Sequence, residues 1–235
     1  MKKKKNIFLL AGGNWRKPGS LTPLFSKILS ETGKEKPLII YIGTANGDDR
    51  SFFIFANSIL KKAGAGDVVQ LFLAKNSVDL ISIKKILQNA DAVFIAGGDV
   101  EEGMRWLNLH RLVPLLKKLY RDGALFFGLS AGSIMLGTHW VRWEDPVDDS
   151  SAGLFACIGI APVICDTHAE KDDWDELKTA IKIMGKNRFG YGIPTGGVLC
   201  ITPGRKLKAL GKDVVRYVNR AGRLAKTNII ADFEN

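Results

Sequence analysis

The stretch "ALFFGLSAGSIML" (residues 124–136) sets a serine between two glycines, at the end of one apolar run and the start of another. The uncharged "ALFFGL" suits a buried strand, and "AGSIML" can open a helix. Parallel sheets are built from such units, because parallel strands need a crossover connection. Gly128-Leu129-Ser130-Ala131-Gly132 also fits G-x-S-x-G, in which the serine projects from a strained strand-to-helix turn. Glycine on either side removes the side chains that would clash where strand and departing helix meet. The N–H of Ala131 would then face the oxyanion of a tetrahedral intermediate, aided by the helix N-terminus. About 0.1 such matches are expected by chance in a chain of this length, so the flanking strand and helix patterns carry the weight.

The same rhythm extends in both directions. "NIFLLAGG", "PLIIYIGTA", "DVVQLFLA" and "DAVFIAGG" are short apolar runs. Between them, "LTPLFSKILSE", "RSFFIFANSILKKAG" and "SIKKILQNA" have helical spacing, and "EEGMRWLNLHRLVPLLKKLYRDG" supplies one or two further helices. This predicts an α/β fold with a mostly parallel sheet and helices on both faces. After Ser130 the pattern loosens. "THWVRWEDPVDDSSAGLF" reads as a polar loop, "ACIGIAPVICDT" as a strand, and "DDWDELKTAIKIMGK" as an amphipathic helix. "FGYGIPTGGVLCITPGRKLKALGKDVVRYVN" alternates strands with glycine turns, which predicts antiparallel strands added to the sheet in the C-terminal third. With no linker or repeat in view, residues 1–235 are expected to form one domain.

Composition narrows the function classes. No apolar run approaches the ~20 residues of a membrane span. "MKKKKNIFLLAGG" has too short an apolar core for a secretory leader, so a cytoplasmic protein is expected. Cys157, Cys165 and Cys200 lack disulfide or zinc spacing and are expected to be buried thiols; no metal or cofactor is implied. The net charge of +10 is spread over the chain without a nucleic-acid-binding motif, which argues for solvated lysines rather than a nucleic-acid surface. The helix "LVPLLKKLY" offers a face for a homodimer.

In an open parallel sheet the loops at the carboxyl ends of strands line the ligand crevice. "AGGN" (11–14), "GTANGDD" (43–49), "AGGDVEEG" (96–103) and "GLSAG" (128–132) are therefore expected to converge. None is a nucleotide-binding glycine motif. A nucleophilic serine needs a base, and the base an orienting group. His110 reads as a surface or packing residue, His139 as a strand residue, and His168 as the exit of a strand ahead of a helix. Position favours His168 over His139.

"AVFIAGGDVEEGMRWL", "GALFFGLSAGSIML" and "PVICDTHAEKDDWDEL" together resemble the S51 serine peptidases, which include the α-aspartyl dipeptidases and the cyanophycinases. The resemblance implies a class I glutamine amidotransferase-like (flavodoxin-like) fold and hydrolysis of short peptides, with a preference for N-terminal aspartate. It implies Ser130 as nucleophile, His168 as base and the amides of Gly98 and Ala131 as oxyanion donors. In the dipeptidase branch the acid falls on Asp145, with Glu144 and Asp148 as neighbours. The cyanophycinase branch carries it in Gly-Ile-Asp-Glu, where this chain has Gly192-Ile193-Pro194-Thr195. Arg105, Arg142 and Arg188 are the candidate partners for an acidic substrate group. A non-catalytic relative that only binds a ligand is the competing expectation, and the presence of both Ser130 and His168 speaks against it.

Overall fold

The computed structural model describes residues 3–13, 21–145 and 147–229. In chain order its elements are β1 (Ile7–Leu10), α1 (Thr22–Ser30), β2 (Ile39–Ile42), α2 (Arg50–Lys62), β3 (Val68–Leu71), α3 (Leu80–Gln88), β4 (Ala92–Ile95), α4 (Val100–Leu109), α5 (Val113–Arg121), β5 (Leu125–Leu129) and α6 (Ala131–Leu136). There follow β6 (His139–Trp143), β7 (Ala152–Ala156), β8 (Ile164–Thr167), α7 (Asp175–Met184), β9 (Phe189–Ile193), β10 (Val198–Ile201), β11 (Leu207–Leu210), β12 (Val214–Arg220) and β13 (Arg223–Ile229).

The main sheet runs β11-β10-β1-β5-β4-β2-β3. β1 to β5 are mutually parallel, and β10 and β11 join antiparallel at the β1 edge. Successive side chains of a strand point to opposite faces. Accordingly Ile7 and Leu9 join a core under α3 to α6, while Phe8 and Leu10 join a second core under α1 and α2. The expected parallel α/β sheet with helices on both faces is what forms. Asp49, Asp79 and Asp99 start α2, α3 and α4 by accepting hydrogen bonds from Phe52, Ser82 and Glu102 N–H groups. No helix among the described residues is long and apolar enough to cross a membrane.

The C-terminal third departs from expectation in two places. The stretch read as a polar loop contains a two-stranded hairpin, β6 with β7, in which His139 faces Ala156 and Trp143 faces Ala152. Trp140, Val141 and Trp143 supply the β propensity, and Glu144, Asp145, Asp148 and Asp149 after them mark its tip. Only part of the predicted antiparallel addition reaches the main sheet. The strands β8, β9, β12 and β13 instead form a separate sheet around a third core, with Ile164, Trp174, Leu177, Ile181 and Tyr217 packed together. Within it β8 and β9 are parallel. Alternation specifies that a strand has two faces; it does not specify which edge it joins.

Candidate active site

Ser130 occupies the turn between β5 and α6 with φ 53° and ψ −125°, a conformation rarely adopted by a non-glycine residue. The surroundings over-determine it. The Ser130 N–H donates to Leu10 O at 2.8 Å, and the buried Ser133 hydroxyl accepts from Leu10 N and donates to Leu10 O at 2.8 and 2.9 Å. Ser133 therefore pins the first turn of α6 to the end of β1. The flanking glycines are sterically required: a Cβ on Gly128 would lie 2.5 Å from Gly132 O, and one on Gly132 would lie 2.1 Å from Ile95 O. Strain held in this way is what aims a nucleophile out of a strand end.

His168 lies just beyond β8, also at positive φ (45°), with its N–H donating to Ile193 O at 3.0 Å. This carries its ring to Ser130, whose Oγ is 2.7 Å from His168 Nε2. The pair is joined across a separation of 38 residues. The loop at Gly97-Gly98 closes a third side. Gly98 has φ +144°, and a Cβ there would lie 2.0 Å from Ala45 O, the acceptor of the Asp99 N–H at 2.7 Å. Asn46 Nδ2 donates to Gly97 O at 3.0 Å, so the 43–49 loop buttresses this one. Ala131 opens α6, and its N–H has no partner within the helix. Ala11, Gly97-Gly98 and Ser130 bring three of the four strand-end loops to the site, while the 43–49 loop stands behind Gly98 and lines neither cavity; Asn14 lies outside the described residues.

Asp145 is not brought to the pair. It sits in the exposed turn of the β6–β7 hairpin, where Oδ1 accepts from Val147 N at 3.0 Å. Asp148 Oδ1 accepts from Ser150 N at 2.8 Å, and Glu144 is likewise exposed. Glu170, two residues beyond His168, is a carboxylate on which the His168 side chain acts electrostatically. Burial pushes Glu170 up, but hydrogen bonds from its own backbone and Thr195, with the His168 charge, outweigh this and hold it below the usual carboxylate range. Its Oε1 accepts from Thr195 N at 2.6 Å. No local spacing rule singles out Glu170, because the contact is made with the 193–196 segment. His110 is a packing residue, buried with Nε2 2.8 Å from Leu73 O, and the three cysteines are buried free thiols.

Two cavities meet at Ser130 and His168. One, of about 610 Å³, is walled by Phe25, Tyr41, Phe52, Phe55, Ile59 and Phe94. The other, of about 320 Å³, is walled by Trp140, Asp166, Thr167, Asp172, Asp175 and Glu176. No lysine or arginine is among the described residues lining either. Arg105 is held by Glu102 at 2.7 Å and Arg142 by Glu101 at 3.0 Å; Arg188 lines neither cavity.

Asp166 is 5% exposed, and burial pushes its carboxyl up to about 7, against the Thr167 N–H and with added repulsion from Glu176, Asp172 and Glu170. A carboxyl with a raised folded-state pKa binds a proton that the unfolded chain has released, so stability falls as pH rises from about 4 to about 7, by at most about 1.4 kcal/mol per unit. Asp166→Asn is therefore expected to raise the melting temperature by several degrees at pH 8 and by little at pH 4. Thermal melts at the two pH values check this, and an equal shift at both would remove the assignment.

A model of peptidase family S51 matches residues 7–208. An uncharacterized peptidase YgaJ of Bacillus subtilis (strain 168) is 25% identical over 199 residues, covering 83% of this chain and 82% of that one. A peptidase E of Pasteurella multocida (strain Pm70) is 22% identical over 249 residues, covering 98% and 99%. Among solved structures, a peptidase from an acI-B1 Actinobacterium superposes with a TM-score of 0.73 at 18% identity, covering 97% of this chain and 95% of that one. A putative peptidase E from Listeria monocytogenes EGD-e gives 0.64 at 18% identity, covering 88% and 98%. The matched span runs from β1 through the Gly97-Gly98 loop, the Ser130 turn and His168 to β11, and by it the chain belongs to peptidase family S51 and is a serine-type peptidase.

Proposed function

We propose that the protein hydrolyses short peptides through Ser130 and His168, with the amides of Gly98 and Ala131 as the oxyanion hole. The 2.7 Å contact between Ser130 Oγ and His168 Nε2, at a turn held in a strained conformation, carries this reading. His168 takes the hydroxyl proton as Oγ adds to the scissile carbonyl, and the two N–H groups stabilise the oxyanion. The imidazolium then gives that proton to the leaving amine, and water attacks the ester under the same base to release the acid and restore Ser130.

The orienting carboxylate in this reading is Glu170 rather than Asp145. Pro194-Thr195 stand where the cyanophycinase-type segment has Asp-Glu, and the Glu170 carboxylate accepts the Thr195 N–H. Glu170 thus supplies a carboxylate to the same neighbourhood from another part of the chain. Glu170→Gln is expected to lower kcat/KM about 10²-fold or more, and Asp145→Asn less than about twofold. Equal losses in both variants would return the role to the hairpin.

For specificity, the aromatic-walled cavity beside Ser130 supports a large apolar side chain next to the scissile bond. The N-terminal aspartate preference implied by family resemblance has no lysine or arginine to support it among the described lining residues. The amidotransferase-like description of the fold and a single domain over residues 1–235 belong to the same reading, supported by the helices on both faces of the main sheet. Incubation with a serine-reactive phosphonate followed by peptide mapping is expected to label Ser130. A dipeptide screen is expected to favour Phe-X or Leu-X over Asp-X by about tenfold. A folded sample without label at Ser130 sinks the mechanism, whereas cleavage of Asp-X alone sinks only the specificity.

A further inference from the structure

The smaller cavity is an unusual neighbour for a nucleophile. Asp166, Asp172, Asp175 and Glu176 all line it, and Asp99 lies at its edge. Part of that charge is accounted for. Asp175 pairs with Lys178 at 2.9 Å, Glu176 Oε2 accepts from Trp140 Nε1 at 2.7 Å, and Asp99 caps α4. Asp166 is different. It is 95% buried, Oδ1 accepts from Thr167 N at 2.7 Å, and Oδ2 has no hydrogen-bond partner among the described residues. The hydroxyl of Thr167, 3% exposed and in the same wall, is also without one. Buried polar groups are nearly always satisfied, and an unpaired buried carboxylate is costly. Two such unpaired atoms on consecutive residues that both line this cavity call for a partner that donates hydrogen bonds.

The occupant must also suit the position. The cavity shares Gly98, Ser130, Ala131 and His168 with the reacting centre, so a group bound there belongs to the molecule being cleaved. A cleft lined by one sign of charge concentrates the opposite sign. We infer that this cavity is a subsite for a cationic group of the peptide substrate, held by Asp166 with Thr167 and surrounded by Asp172 and Glu176. An ammonium donates three hydrogen bonds and accepts none, which matches this wall. The group is either the free α-ammonium or a lysine-type side chain, and both carry the same chemistry. Burial and the neighbouring carboxylates push Asp166 up to about 7, and a bound cation replaces the proton it would otherwise hold. This inference rests on the peptidase reading for the occupant's identity, while the cavity's preference for cations can be measured without turnover.

The test uses binding of three matched peptide pairs to the Ser130→Ala protein by calorimetry. The pairs are Phe-Phe-amide with its N-acetyl form, acetyl-Phe-Lys-amide with the norleucine analogue, and acetyl-Lys-Phe-amide with its norleucine analogue. In at least one pair the cationic member is expected to bind about tenfold tighter or more, and the identity of that pair names the source of the charge. Adding Asp166→Asn is expected to bring that ratio within about twofold. Glu176→Gln, which keeps an acceptor for Trp140, serves the same purpose should the Asp166 variant fail to fold. Pairs that do not separate, whether bound tightly or too weakly to measure, overturn the inference, as does a ratio that persists in the carboxylate variants. Failure of the peptidase reading looks different: the wild-type protein then cleaves none of the six peptides, while the cationic members still bind more tightly.

Discussion

Ser130→Ala is expected to lower kcat/KM for peptide hydrolysis by about 10³- to 10⁶-fold, with a melting temperature within a few degrees of the parent. The loss is large because Oγ is the atom that forms the covalent bond, and His168 Nε2, 2.7 Å away, then has no proton to remove. The small thermal effect follows from what holds the turn. Ser130 N–H, Ser133 and the two flanking glycines make the local contacts, and none involves the Ser130 hydroxyl. The backbone at φ 53° remains strained in the alanine variant. Ser130→Gly should relieve it and gain roughly 1–3 kcal/mol of stability while being equally inactive. Combining Ser130→Ala with His168→Ala should cost little more than either alone, since the two act as one unit. Steady-state kinetics with thermal melts decide the matter. Losses that multiply would mean that the two residues work independently.

Gly98→Ala is the second large effect, expected to reduce kcat/KM by at least about 10²-fold and to destabilise the fold as well. Its Cβ would stand 2.0 Å from Ala45 O, and φ +144° is a conformation that L side chains rarely adopt. The loop must move, and with it the N–H proposed to face the oxyanion; loss of one such donor costs about 10²- to 10³-fold in kcat. The Asp99 N–H bond to Ala45 O, 2.7 Å long, is disturbed by the same movement. The separation of causes lies in the parameters. A transition-state role lowers kcat with KM near the parent value at a temperature where the variant is folded, and a purely structural role lowers the folded fraction alone.

Much of this was legible in the chain. The alternation of apolar runs with helical spacing predicts the parallel core, since burial on both faces leaves a continuous apolar signature in β1, β2, β4 and β5. Gly128 is legible because the clash it avoids, with Gly132 O, is between residues four apart, whereas the clash that Gly132 avoids, with Ile95 O, arises only when β4 packs beside the turn. The hairpin β6–β7 was obscured by its polar tip, where Asp145, Asp148 and Asp149 dominate the composition. The strands β9 and β12 carry the same alternation as β10 and β11, yet they belong to another sheet.

By itself the sequence determined an α/β protein, a serine on a strand-to-helix turn and a histidine at the exit of a later strand. Each of these depends on contacts within a few residues or on burial periodicity, which spacing records directly. The tertiary structure alone decided that Glu170 lies against Thr195 while Asp145 sits in the exposed hairpin turn, that Ser133 anchors the turn to β1, and that an aromatic wall and an acidic wall meet at Ser130. Those depend on which segments pack together: Thr195 beside Glu170, α2 over the main sheet, and α7 against the hairpin through Trp140 and Glu176. Charge and aromaticity are written in the sequence, but the direction in which they point is set by the packing.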